Sequence, residues 1–216
     1  MRFNKKAALE LSITAIVVLI IAITVLGLGI GFIKKQFGAG AEMVTQELVK
    51  IKDQLKEQVR TGGELLVFSI PDQIKSGTPQ AVLIGIRNTA ANFEGKDRVC
   101  FRVEVKCIKP FTPDAQCVPD VMGPVAVGGY APDEGWAPVK GNHNWFRSIL
   151  GEFDLKNYEG DVFDAIMQVR GIKPDSYQME INVYKAIDDK ACVDGPDFSD
   201  KNAALYASKS FILNVV

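Results

Sequence analysis

Residues 99–107 read Val-Cys-Phe-Arg-Val-Glu-Val-Lys-Cys. Val99, Phe101, Val103, Val105 and Cys107 fall on one side of an extended chain, and Cys100, Arg102, Glu104 and Lys106 fall on the other. Side chains alternate across a strand, so this stretch reads as a β-strand with one buried face. The same period returns at Val82, Ile84 and Ile86, at Phe163, Ala165, Met167 and Val169, and at Tyr177, Met179, Ile181 and Val183, with a last strand near residues 210–216. Turn-forming clusters separate these runs: Pro71-Asp72, Ser76-Gly77, Asn92 to Gly95, Pro174-Asp175-Ser176 and Asp194-Gly195-Pro196. About seven strands of clean alternation imply an antiparallel sandwich of immunoglobulin-like plan over residues 64–216. Residues 119–147, rich in Pro and Gly, are expected as a long loop within it.

All four cysteines lie in this region: Cys100, Cys107, Cys117 and Cys192. An even count confined to one region implies two disulfides and an oxidising compartment, with buried thiols as the alternative. Cys100 and Cys107 sit about 23 Å apart if they share one extended strand, too far to bond to each other. Two connectivities remain. Cys107–Cys117 with Cys100–Cys192 is favoured over Cys100–Cys117 with Cys107–Cys192, because Cys107 ends its strand and Cys117 follows across a Pro-bearing loop.

N-terminal to the strands the period is helical. Residues 11–33 run Leu-Ser-Ile-Thr-Ala-Ile-Val-Val-Leu-Ile-Ile-Ala-Ile-Thr-Val-Leu-Gly-Leu-Gly-Ile-Gly-Phe-Ile without a charge, after a basic leader over 1–10 and before Lys34-Lys35. As a helix this stretch spans about 35 Å, enough for a hydrocarbon core. A cleaved secretory signal, a plain membrane anchor and a polymerising helix all compete for it; the apolar run exceeds the usual signal length. Gly27 and Gly31 form a small-residue pair that lets helices approach closely. Glu10 stands at the entrance, where a carboxylate needs a cation, either Lys6 or a neighbouring subunit. Beyond it, residues 34–61 read as an amphipathic extension. Phe37, Ala41, Val44, Leu48, Ile51 and Leu55 form a heptad seam, which ends before Thr61-Gly62-Gly63. That seam faces either a neighbouring copy or the chain's own β domain. The expected fold class is therefore α+β, a long N-terminal hydrophobic helix followed by an antiparallel immunoglobulin-like β-sandwich head.

The array Lys5-Lys6-Ala7-Ala8-Leu9-Glu10, followed by about 22 apolar residues, resembles the class III signal and core helix of archaeal type IV pilins and archaellins. The resemblance implies that Lys5 and Lys6 are the basic pair, that Ala7 precedes a prepilin peptidase cut and that Ala8 becomes the new N-terminus. It gives Glu10 the role of the carboxylate that meets a neighbour's terminal amine. It further implies a structural subunit of an extracellular filament, anchored in the membrane before assembly and polymerising with itself through its N-terminal helices.

Chemistry of other kinds finds little support. The net charge of −1 and the absence of basic runs argue against a nucleic-acid partner. One histidine, His143, leaves little for metal or general-base work. No P-loop, nucleophile elbow or zinc-ligand spacing occurs, so neither an enzyme nor a cofactor is expected. Asp188-Asp189, Asp197 and Asp200 are a candidate calcium set, with a solvated acidic turn as the simpler reading. Trp136, His143, Trp145 and Phe146 are candidates for a surface contact with a glycan or protein target; loop anchoring by buried rings is the simpler reading. If the helix serves only as an anchor, the alternative function is a single-pass surface sandwich for adhesion or envelope binding.

Overall fold

The computed structural model describes residues 15–26, 48–89, 95–132, 135–147 and 151–216. Contacts divide the chain into two units, Met1–Lys50 and Ile51–Val216. In the first unit, residues 15–26 are helical, exposed and apolar on every face; the hydroxyl of Thr24 is satisfied by donating to the Ile20 carbonyl at 2.7 Å. Twelve helical residues rise only about 18 Å. Among the described residues no helix is long and apolar enough to cross a membrane. The expected α+β class with a long N-terminal hydrophobic helix is corrected accordingly. The described chain is mainly β, and its strands supply most of the buried apolar side chains. Lys5, Lys6, Ala7, Ala8, Glu10, Gly27, Gly31 and Val44 lie outside the described residues.

The second unit is a sandwich. One sheet has the order β1 (Leu66–Ser69), β3 (Gln80–Arg87), β8 (Gly160–Met167). The other has the order β2 (Gln73–Ile74), β10 (Leu205–Val215), β9 (Asp175–Lys185), β4 (Arg98–Pro110), β5 (Val125–Ala131), β6 (Ala137–Pro138), and β7 (Phe153–Lys156) also pairs with β4. All pairs are antiparallel except β10 with β2. This order is that of an immunoglobulin-like sandwich. β1, β3 and β8 occupy the places of strands A, B and E, and β4, β5, β9 and β10 those of C, C′, F and G. The core lies between the sheets. Val99, Phe101, Val103 and Val105 of β4 and Tyr177, Met179, Ile181 and Val183 of β9 are fully buried against Val82, Ile84 and Ile86 of β3. The stretch 119–147, expected as a loop, contributes β5 and β6.

β3 is covered on both faces, which its unbroken apolar run Ala81-Val82-Leu83-Ile84-Gly85-Ile86 permits. Its second face lies beneath residues 51–61 of the helix that includes 48–61. Ile51, Leu55 and Val59 pack there on Val67, Leu83 and Val162. The heptad seam at Ile51 and Leu55 thus closes on the chain's own sheet; Leu48 is helical and half-buried. Two glycines make the socket. A Cβ on Gly85 would lie 2.6 Å from Val59 Cγ2, and one on Gly160 would lie 2.2 Å from Val59 Cγ1. Lys52 pairs with Asp164, and Lys56 with Asp161 at 3.3 Å, so β8 holds the helix on its exposed edge. The helix stops where Gly62 N donates to the Gln58 carbonyl and Gly63 turns left-handed at φ 75°. Val59→Ala should destabilise the domain by about 2 kcal/mol through the cavity it leaves. Gly160→Val should lift the helix off the sheet. Denaturant melts of both variants, with protease mapping near residue 60, test the socket.

The disulfides are Cys100–Cys192 and Cys107–Cys117, the pairing that the strand geometry favoured. The first spans 92 residues and the second 10. Loop entropy alone gives about 4.6 and about 2.7 kcal/mol respectively as upper estimates. Replacing Cys100 and Cys192 together by Ala should therefore lower stability more than replacing Cys107 and Cys117. Urea midpoints of the two double variants decide the order.

Candidate functional site

Two polar constellations stand out, both on the seven-stranded sheet or at its margin. The first covers the face of that sheet turned away from the core. There β4 presents Arg102, Glu104 and Lys106, and β9 presents Tyr184, Asn182 and Glu180 directly opposite them in register. The β5–β6 connection folds Trp136 over this row with a left-handed φ of 62°, a conformation bulky residues rarely hold. Trp136 meets Tyr184 edge-on at 4.7 Å, and Phe198 lies 5.5 Å from it. The Arg102 guanidinium sits among the rings of Phe198 (4.1 Å), Tyr130 (4.8 Å) and Trp136 (5.3 Å) and pairs with Glu152. Ring faces attract a cation most when water is excluded, as it largely is here.

Glu104 is fully buried in this row. One carboxylate oxygen accepts from the Tyr184 hydroxyl at 3.0 Å and lies 3.5 Å from Lys106 Nζ, while the other has no partner among the described residues. Burial pushes its carboxyl above the ordinary range, against the opposing pull of Lys106, Tyr184 and Asn182. A carboxyl raised on folding binds its proton more tightly in the native state. Its contribution is complete below about pH 4.5, the ordinary value, and is lost as pH rises through the raised one. Glu104→Gln should flatten the fall in stability between pH 4.5 and 8. Denaturant melts at the two pH values measure it, and an unchanged slope would sink the assignment.

The second constellation lies at the margin where the two sheets are stitched together. Residues 145–147 run between them. Trp145 N donates to the Val127 carbonyl of β5 at 2.7 Å, Arg147 N donates to the Ile166 carbonyl of β8 at 2.8 Å, and Trp145 O accepts from Gln168 N. Trp145 and Phe146 are consequently core residues. Trp145 meets Tyr177 edge-on at 6.1 Å, and Phe146 lies flat where Gly128 leaves room, since a Cβ there would come within 2.3 Å of its ring. The candidate surface contact through Trp145 and Phe146 is corrected in favour of the simpler reading, loop anchoring: both rings are buried on the inner side of the strap. Trp136 belongs to the Arg102 cluster, and His143 sits half-buried in the turn Gly141–His143.

Outside the strap, Arg147 Nε donates to Gln168 Oε1 at 2.6 Å, and Arg170 donates to the same oxygen. Gln168 is held in turn by donating to the Gly77 carbonyl. Both guanidinium nitrogens therefore lie within about 5 Å of each other, the sum of two hydrogen-bond lengths. Two positive charges at that distance repel by about 1 kcal/mol even in the dielectric of water. Among the described residues neither arginine has a carboxylate partner. A cavity of about 190 Å³ opens here, lined by Asn144, Trp145, Arg147, Gln168 and Arg170. Trp145 adds an indole N–H with no acceptor among the described residues. A second depression of about 270 Å³ shares Asn144 and Arg170 with it. A third, of about 240 Å³, adjoins the second at Pro119 and Gly171 and carries Asp114, Gln116 and Lys173. The sequence signal was faint: Gln168 and Arg170 are spaced to share one face of an extended chain, but Arg147 arrives from a distant segment.

The acidic candidates serve the backbone. Asp188 accepts from Asp197 N, Asp197 from Ser199 N, and Asp200 caps the short helix Lys201–Ala204. Asp189 pairs with Lys96 at 3.5 Å. Among the described residues the convergent metal-type donors are Cys100, Asp154 and Cys192, whose two sulfurs are already bonded to each other.

No protein-family model matches the chain, and no curated protein matches it in sequence. Solved structures similar to it include the CARDB domain of a Pyrococcus furiosus protein, solved with two metal ions. That domain is 12% identical, with 70% of this chain and 85% of that one covered and a TM-score of 0.32. A Caenorhabditis elegans member of the MSP family is 11% identical, with 71% and 99% covered and a TM-score of 0.33. The class 5 fimbriae chaperone CfaA is 8% identical, with 69% and 54% covered and a TM-score of 0.30. Likenesses this slight carry no argument, and the fold rests on the strand order itself.

Proposed function

We propose that the chain is a non-catalytic surface module, a disulfide-locked β-sandwich displayed in an oxidising compartment and held in place through its apolar N-terminal residues. The observation that carries this reading is the bonding of all four cysteines, each pair joining β4 to a separate loop. Reducing cytosols keep such thiols open. Residues 15–26 support it from the other side. They are apolar all round and exposed, and such a surface calls for lipid or like helices around it. The module's work is recognition of a glycan or protein at the cell surface.

A second reading follows from the same residues 15–26 together with the pilin-like array at 5–10. In it, copies of the chain associate through their N-terminal residues as subunits of a type IV pilus-like filament, with the sandwich on the outside. The closing of Ile51 and Leu55 on the chain's own sheet favours the first reading, because that seam is spent within one copy.

Protease added to intact cells should cleave the sandwich, and alkylation without reductant should modify no cysteine. A protease-protected chain, or four alkylated cysteines, would overturn the displayed-module reading. Negative-stain microscopy of sheared surface material, probed with an antibody to the sandwich, separates the two forms. Label on membrane vesicles alone supports the module, and label along fibres supports the filament.

A further inference from the structure

We infer that the paired guanidinium groups of Arg147 and Arg170 form the anion subsite of a cleft for an acidic polysaccharide, gripping the carboxylate of a uronic acid. Naming the target class rests on the displayed-module reading; the anion subsite rests on its own geometry.

The two arginines converge on a single neutral acceptor. Arg147 Nε reaches Gln168 Oε1 at 2.6 Å and Arg170 reaches the same oxygen. The strong partners of a guanidinium are carboxylate and phosphate, and neither arginine meets a carboxylate among the described residues. Here the acceptor is an amide, itself fixed by the Gly77 carbonyl, so it holds both forks in place without neutralising either. Arg147 is carried by the strap between the sheets, where its N–H donates to the Ile166 carbonyl, and Arg170 follows Gln168 and Val169, whose backbone groups bond to Trp145 O and Gly77 N. An entering oxyanion accepts from both forks and relieves their repulsion. A planar carboxylate suits this arrangement, since guanidinium groups recognise it with two parallel hydrogen bonds.

The cleft continues beyond the arginines. The depression at Asn142, Asn144 and Arg170 and the next at Asp114, Gln116 and Lys173 follow one another with shared walls. A lone ion needs only the first of these. A row of hollows that mixes amide and charged groups with apolar walls such as Pro119, Ile172 and Tyr177 suits a chain of linked rings, which present hydroxyls at their edges and C–H groups on their faces. Nucleic acid is a poorer match. Its repeated phosphates call for a basic stripe, and the chain has a net charge of −1 with one further lysine along this rim.

Calorimetry on the full chain in detergent micelles tests the inference, with three probes: trigalacturonate, neutral galactotriose and sodium sulfate. Trigalacturonate should bind and galactotriose should not. Arg170→Gln and Arg147→Gln should each weaken trigalacturonate at least tenfold. Arg170→Lys should recover little, because lysine keeps the charge but loses the fork. Intact disulfides and an unchanged melting midpoint identify folded variants, and either arginine variant alone suffices if the other does not fold. Equal binding of the neutral sugar, full binding by a folded arginine variant, or no binding of trigalacturonate would overturn the proposal. Sulfate binding as tight as that of trigalacturonate would overturn the saccharide assignment. Protease accessibility on cells reads the display hypothesis separately, so the two fail independently.

Discussion

Strand β4 pairs along its two edges with β9, β5 and β7, anchors both disulfides, and has one face in the core and the other under the aromatic cover. Thirteen residues must satisfy all of these demands at once. The period of two makes that possible. Three valines, Phe101 and the half-cystine Cys107 fill one side, and the half-cystine Cys100, two cations and a carboxylate occupy the other. A slip of one residue would put Arg102 and Glu104 into the core, so this strand sets its own register against β9, β5 and β7. The disulfides then tie to it two loops that make few backbone hydrogen bonds of their own.

The outer side of β4 carries an unusual density of buried polarity for a face covered only by loops. Arg102 is neutralised by Glu152 and cradled by three rings, whereas Glu104 keeps one oxygen without a partner. The aromatic cover makes the difference. Trp136 and Phe198 exclude water from both groups, which strengthens the Arg102–Glu152 pair and raises the cost of ionising Glu104. Polar residues under a ring cover specify position better than they add stability, and the strained backbone at Trp136 is consistent with a cover that must land in one place.

Much of this sandwich is legible in the order of residues. The alternation at 99–107 and 177–183 names two central strands, and the distance between Cys100 and Cys107 along one strand removes one disulfide pattern. Other features are not. Residues 119–147 look like a loop because Gly128 and Gly129 interrupt their alternation. Yet Gly128 is there to admit the ring of Phe146, and Gly129, at φ 75°, crosses the Val103 carbonyl where no side chain fits. Trp145 and Phe146 follow a polar turn, where the order of residues permits either a surface contact or buried anchors; the backbone bonds of this strap to both sheets put them inside. The seam at Ile51 and Leu55 announces an apolar partner without naming it, and the socket that receives Val59 is made of two glycines far apart in sequence. The arginine pair depends on a Gln between two segments about twenty residues apart, a relation no local period expresses.

The seating of residues 51–61 has a mechanical side. A pull on the chain from its N-terminal side reaches Lys52 and Lys56 before it reaches any strand. Those ion pairs and the Val59 socket lie along the helix and yield one turn after another, as a strip is peeled. The β4–β9 ladder carries its hydrogen bonds side by side, and its far ends are cross-linked to Cys117 and Cys192. Under tension the helix is therefore the compliant element and the sandwich the stiff one. A load applied from that side would lengthen the chain at residues 51–61 before it parted the β4–β9 ladder.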